Sequence, residues 1–180
     1  MIDDTRTVPQ RLVAFLPNLR RFAISLCRSP ELADDLVQAA CERAIRSAGS
    51  FSPESRFDAW MFRILRNLWI DHLRRAKTAG PHQELDEAGD IPGPDGQVVS
   101  HARLDLLEVT AALMKLPEEQ REVLVLVCVE DLSYRETADV LSIPIGTVMS
   151  RLARARKNLA RLTGIDAGDE RSSGTKGGMA

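Results

Sequence analysis

Nowhere in the 180 residues does an apolar run approach the ~20 that a membrane-spanning helix needs. The N-terminus carries Asp3, Asp4 and Arg6 and lacks the apolar stretch of a signal peptide. A cytoplasmic location with no membrane insertion is therefore expected. The three cysteines, Cys27, Cys41 and Cys128, form no Cys-x-x-Cys pair, and the three histidines add no ligand spacing. No metal site is expected, and the cysteines read as small buried apolar residues. A glycine-rich nucleotide loop is missing, as is any nucleophile–base pattern. The chain is thus expected to have no catalytic residue, to need no cofactor and not to be an enzyme.

What is present is a foldable composition with an uneven charge. Apolar residues make up 44% of the chain, enough for a packed core. The net charge of −2 conceals segments of opposite sign. Residues 1–77 carry +4, 78–108 carry −6, 109–145 carry −4, 146–162 carry +5 and 163–180 carry −1. Two basic regions flank an acidic middle. A near-neutral sum does not argue against a polyanionic partner, because phosphate responds to local patches.

The apolar spacing predicts helices throughout, and so an all-α fold. Val13, Leu16, Leu19, Phe22 and Leu26 mark a helix over 9–27, which Pro17 is expected to kink or divide. Ser29-Pro30-Glu31 starts a second helix, and Gly49 ends it. A strongly periodic helix is expected over 56–77. Residues 78–102 collect Gly80, Pro81, Gly89, Pro92, Gly93, Pro94 and Gly96 among acids, which reads as a flexible linker. Helices resume over 104–115 and from Pro117 onward. The tail 163–180 is rich in Gly and Ser and reads as disordered. The architecture expected is two small helical domains, 8–77 and 103–162, on an acidic tether.

Residues 134–153 carry the strongest local motif. Ser133 and Glu136 fit a capping box, and Ser142-Ile143-Pro144 interrupts the helical run. Val148, Leu152, Ala155 and Leu159 then form one apolar face. Ser150, Arg154, Lys157 and Arg161 lie opposite, and 146–162 contains no acid. This is the pattern of a helix-turn-helix whose second helix offers cations to a DNA groove. A solvated basic helix on an ordinary bundle explains neither the missing acids nor the capped turn before them.

The first half of the chain has its own pattern. Phe57, Trp60, Met61, Ile64, Leu65 and Leu68 form a core stripe, with Arg56, Arg63, Asn67 and Arg74 on another face and Arg75 and Lys77 beyond. Aromatics beside cations suit single-stranded nucleic acid, although Trp60 and Phe62 individually read as core. Asp34, Asp35, Gln38 and Glu42 share a polar face apart from Leu32, Leu36 and Val37, which suits a polar protein interface or simply water.

These segments together resemble a known family. Leu116-Pro117-Glu118-Glu119-Gln120-Arg121-Glu122-Val123-Leu124, Leu132-Ser133-Tyr134-Arg135-Glu136-Thr137-Ala138 and Ile143-Pro144-Ile145-Gly146-Thr147-Val148-Met149-Ser150-Arg151-Leu152 resemble the C-terminal domain of extracytoplasmic-function (ECF) sigma factors. Asp34-Asp35-Leu36-Val37-Gln38, the run 57–67 and Ile70-Asp71-His72-Leu73-Arg74-Arg75 resemble the family's N-terminal domain, in the right order. The resemblance implies a sigma factor that directs RNA polymerase to promoters. It implies core RNA polymerase, through its β′ subunit, as the partner of Asp34, Asp35, Gln38 and Glu42. It implies that Arg56, Arg63, Asn67, Arg74 and Arg75 bind and help melt the promoter −10 element, with the loop 50–57 taking an everted base. Thr147, Ser150, Arg151, Arg154, Lys157 and Arg161 would bind the −35 element, and a cognate anti-sigma factor would regulate the protein. The sequence departs from the family pattern at Ala39, at Ser142 in place of the turn glycine, and at Met149 in place of a basic residue.

Two other readings compete. A conventional regulator would bind duplex DNA without polymerase and would need a sensor or dimer interface in residues 1–77. A sigma-like decoy for an anti-sigma factor would have no need of the basic residues on either DNA-facing helix.

Overall fold

The computed structural model describes residues 7–52, 55–78 and 101–164, and among these residues every regular element is helical. The first unit comprises α1 (Val8–Cys27), α2 (Pro30–Arg46), a short 3-10 turn (Ala48–Ser50) and α3 (Phe57–Thr78). The second comprises α4 (His101–Met114), α5 (Glu118–Leu124), α6 (Tyr134–Leu141) and α7 (Ile145–Thr163). The acidic linker lies almost wholly outside the described residues, as does the tail beyond Gly164.

Local chemistry sets the helix ends. The Ser29 hydroxyl accepts the Leu32 amide at 3.3 Å, and Pro30, which has no amide proton to leave unpaired, opens α2. Pro17 neither breaks nor divides α1. Its ring deprives the Val13 carbonyl of a donor, but Val13 and Pro17 both lie on the exposed side, where water can replace the bond. Leu12, Leu19 and Phe22 anchor the opposite side in the core.

The core stripe of α3 is buried at Phe57, Met61, Ile64 and Leu65. Burial extends to Phe62 and Trp69, because α3 is packed by α1, α2 and α6 rather than along one face. Phe62 is core, stacked edge-on against Phe22 with ring centroids 5.0 Å apart. Trp60 is only half-buried and lies 5.0 Å from Phe51. The cysteines are less buried than expected: Cys27 and Cys41 are half-buried and Cys128 is exposed.

The two units are packed directly on each other, and their buried apolar residues form one continuous core. Arg121 of α5 sits at the seam, 1% exposed. Its guanidinium donates across the seam to the Ser25 carbonyl and, at 3.5 Å, to Leu26. It also donates to Leu116 at 2.7 Å within its own unit. Ser25 and Leu26 belong to the last turn of α1, whose carbonyls have no partner within the helix. The cation therefore caps α1 from another domain, with the helix dipole favouring it. Burial, and then the nearby Arg28 charge, pull the Arg121 guanidinium down to about 10, so it remains cationic at neutral pH.

Past α5 the helix widens into a π turn, Val125–Val129, and the Glu130 amide donates back to Val125. The Glu130 carboxylate meets α1, accepting Asn18 at 2.7 Å and Arg21 at 2.9 Å.

Replacing Arg121 with Ala should cost about 2–5 kcal/mol, since it strands buried carbonyls and opens a void. Arg121→Lys should recover less than half of that loss, because one ammonium cannot span carbonyls of both units. Urea unfolding of the three proteins measures both values; equal midpoints for wild type and Arg121→Ala would remove Arg121 from this role.

Candidate nucleic-acid interface

Three exposed polar faces hold the residues singled out in the sequence. The first lies on α2. Ala33, Leu36, Ala40 and Ala44 are buried, which turns Asp34, Asp35, Gln38 and Glu42 outward. Gln38 donates to Glu42 at 3.2 Å, and Glu42 pairs with Arg46 at 3.6 Å. Asp34 is drawn toward α1 by Arg20, at 2.6 Å, and that hydrogen bond holds its carboxyl below the ordinary range.

The second face lies on α3. Arg63, Asn67, Arg74 and Arg75 are exposed. Arg74 pairs loosely with Asp71 at 3.6 Å, and Arg75 donates to the Asp71 carbonyl. The loop before α3 is tethered by Phe51, whose ring lies 5.7 Å from Phe57 and 5.0 Å from Trp60. The Arg11 guanidinium sits 5.7 Å from the Phe51 ring and 5.4 Å from that of Phe57. Arg56 stands apart from the other basic residues. It is bonded first to Asp58 of its own unit and also reaches Glu136 of α6 at 3.1 Å.

The third face lies on α7. The capping box is present: the Glu136 amide donates to the Ser133 hydroxyl at 3.2 Å, and Glu136 accepts the Ser133 amide at 2.8 Å. Burial alone would raise the Glu136 carboxyl; the Ser133 hydrogen bonds and the Arg56 charge outweigh it and hold the group below its usual range. Ser142 ends α6 in the left-handed region at φ 52°, and its amide donates to the Ala138 carbonyl. Val148, Leu152 and Ala155 are buried, so the opposite face is presented outward. Ser150, Arg154, Lys157 and Arg161 are exposed there. The Arg154 side chain folds back on its own helix, donating to the Ser150 carbonyl at 3.2 Å. Thr147 is half-buried. Arg151 points toward α5 and pairs with Glu119 at 2.9 Å, which separates it from the outward stripe.

Sequence reasoning missed the groups that join the units. Glu118 accepts the Trp69 indole at 2.6 Å, and Glu122 takes Arg66 at 3.3 Å. Burial pushes the Glu122 carboxyl up, with the Arg66 charge opposing it. The polar run 118–122 predicts only the start of a helix, and no local signal marks Gln120, Arg121 and Glu122 as buried. Among the described residues no cluster of side chains could hold a metal ion, and no helix is long and apolar enough to cross a membrane.

A bundle that ends in a helix-turn-helix, preceded by a basic three-helix unit, defines a class of transcription protein. The Sigma-70 region 2 family matches residues 12–78, and the Sigma-70 region 4 family matches residues 106–159. The ECF RNA polymerase sigma factor EcfG of Rhodopseudomonas palustris (strain TIE-1) is 37% identical over 92% of this chain and 90% of its own length. SigM of Mycobacterium tuberculosis is 41% identical over 81% of this chain and 71% of its own. The sigma factor RpoE, solved in complex with the anti-sigma factor NepR from Bartonella quintana, superposes with a TM-score of 0.73 at 34% identity. That match covers 88% of this chain and 97% of RpoE. CnrH, solved in complex with the cytosolic domain of CnrY, gives a TM-score of 0.61 at 30% identity over 88% of each chain. The chain belongs to the ECF RNA polymerase sigma factors, a family of transcription initiation factors rather than of enzymes.

The left-handed backbone at Ser142 carries a local cost that glycine would not. Because Ser142 is exposed, Ser142→Gly should stabilise the protein by about 0.5–1 kcal/mol, net of the extra freedom glycine gains on unfolding. Urea titration at fixed pH checks it; a loss of stability would mean the Ser142 side chain contributes more than its backbone costs.

Proposed function

We propose that the protein binds core RNA polymerase in the cytoplasm and directs it to specific promoters, reading and melting the −10 element with its first unit and binding the −35 element with its second. The observation that carries this reading is the pairing of two separate outward basic faces, on α3 and α7, with an acidic face on α2. A regulator acting alone needs only one DNA face. The α2 face, Asp34, Asp35, Gln38 and Glu42, docks on the β′ subunit. Arg56, Arg63, Asn67, Arg74 and Arg75 take the −10 strand, and the Phe51-tethered loop receives an everted base. Ser150, Arg154, Lys157 and Arg161 meet the −35 duplex, with Thr147 at the helix start; Arg151 joins them only by leaving Glu119. The domains divide at 8–77 and 103–162. Catalysis belongs to the polymerase. The likeness to RpoE, which binds the anti-sigma factor NepR, supports regulation by an anti-sigma factor here too.

In vitro transcription from a genomic promoter library, with core polymerase, tests the reading. The protein should confer promoter-specific initiation. Replacing Asp35 and Gln38 together with Ala should abolish that initiation and weaken co-purification with core polymerase, leaving thermal stability unchanged. Tight sequence-specific duplex binding by the protein alone, with no effect on core polymerase, would point to an ordinary regulator.

The two kinds of cation on α7 should fail differently. An arginine fork can bridge O6 and N7 of guanine, so Arg154→Ala should cost about 1–3 kcal/mol and flatten the preference for guanine at one −35 position. Lys157→Ala should weaken all sequences alike and lower the salt slope by about one phosphate's share. Holoenzyme binding to a −35 library at several salt concentrations separates the two. A changed salt slope with intact base preference in Arg154→Ala would reassign it to phosphate.

A further inference from the structure

The cations of α7 begin at Arg151, and the residues before it, 145–150, include none. Over 145–153, Val148 and Leu152 are buried, Thr147 is half-buried, and Arg151 is held by Glu119 at 2.9 Å. The residues left outward are Ile145, Gly146, Met149, Ser150 and Ala153. The Ser150 hydroxyl bonds its own helix, donating to the Thr147 carbonyl at 3.1 Å. Ile145 is 47% exposed and Met149 50%. They stand one helical turn apart and so lie side by side, and Ala153 continues the ridge by another turn. A recognition helix reaches base edges with its N-terminal residues. Here that end of the helix presents two large apolar side chains.

An exposed apolar residue needs no explanation when it stands singly. These two stand together on a helix whose segment 146–162 carries +5 and no acid, a charge that fits a polyanion. Their ridge is also continuous with the exposed Arg154 and Lys157. In the major groove of DNA, the apolar group that a base edge offers is the C5-methyl of thymine. We propose that Met149, flanked by Ile145, reads thymine in the −35 element by burying that methyl group. The inference rests on the −35 reading of α7 proposed above and adds a second kind of base contact to it. Methionine suits the task, since its unbranched, polarisable side chain settles on a methyl group without a fixed donor–acceptor geometry. A cation at the same position would be drawn to phosphate or guanine instead. Met149 precedes Arg154 by five positions, about 7.5 Å along the helix. At about 3.4 Å per base step, the thymine lies roughly two base pairs from the guanine that Arg154 reads.

Deoxyuridine lacks only this methyl group, so it isolates the contact. Holoenzyme affinity is measured on promoter duplexes in which each −35 thymine, on either strand, is replaced in turn by deoxyuridine. Wild type should lose about fourfold in affinity at one of them, the worth of one buried methyl group. Met149→Ala should bind the thymine and deoxyuridine duplexes alike, whereas Met149→Leu keeps the apolar bulk and should keep most of the difference. 5-Methylcytosine, paired with guanine at that position, carries the same methyl group beside a different hydrogen-bonding edge. Wild type should prefer it to plain cytosine by a similar factor, and Met149→Ala should not. Met149→Lys should strengthen binding to all sequences, steepen the salt dependence by about one phosphate's share and lose the preference for the methyl group. Deoxyuridine that costs nothing at any −35 thymine, or costs Met149→Ala as much as wild type, overturns the proposal. A guanine preference that Arg154→Ala flattens, beside silent deoxyuridine, removes the methyl contact and leaves the −35 reading standing. If no change of −35 sequence alters holoenzyme affinity, the −35 reading fails and takes the methyl contact with it.

Discussion

A single buried guanidinium bridges the two units at the centre of their seam. Arg121 lies where the last turn of α1 and the link between α4 and α5 both present carbonyls that no helix satisfies. Leaving such carbonyls dry and unpaired costs about 1–3 kcal/mol each; Leu116 accepts from Arg28 as well, whereas Ser25 accepts from Arg121. Its own desolvation is opposed by these hydrogen bonds, by the α1 dipole and by the nearby Glu118 and Glu122 charges. Arg121 can therefore be buried only where the two units meet. The continuous apolar core and four carboxylate contacts lie around it.

Electrostatics then gives the acidic residues of α5 and α6 a double use. Glu136 completes the capping box that starts the helix-turn-helix and also pairs with Arg56 on the first unit. Glu122 is nearly buried beside Arg66, and burial raises its carboxyl, so its ionised form is held at a cost. Glu136 is shifted the other way by its hydrogen bonds. The two carboxylates at the seam are thus shifted in opposite directions, Glu122 up by burial and Glu136 down by its hydrogen bonds.

Much of this was legible in the sequence because the governing rules are local. Ser29-Pro30, the Ser133–Glu136 box and the left-handed turn at Ser142 arise from backbone chemistry within a few residues, and the apolar spacing of α7 places its basic face outward. The polar faces of α2 and α3 emerged for the same reason. What the sequence could not show depends on long-range packing. Arg121 and Glu122 have the composition of a solvated helix and are buried only because another domain covers them. Trp69 lay outside the predicted core stripe because that stripe assumed one covered face, and α3 has several. Arg56 and Arg151 read as DNA-binding cations, and the structure pairs each with a carboxylate from another helix.

The proposed function joins a polymerase-docking face on α2 to outward basic faces on α3 and α7 in one chain. Permanganate footprinting of a promoter in the presence of core polymerase tests it most directly. The account predicts reactive thymines across the −10 element with the protein and none without it. A promoter that stays closed with both present would contradict it.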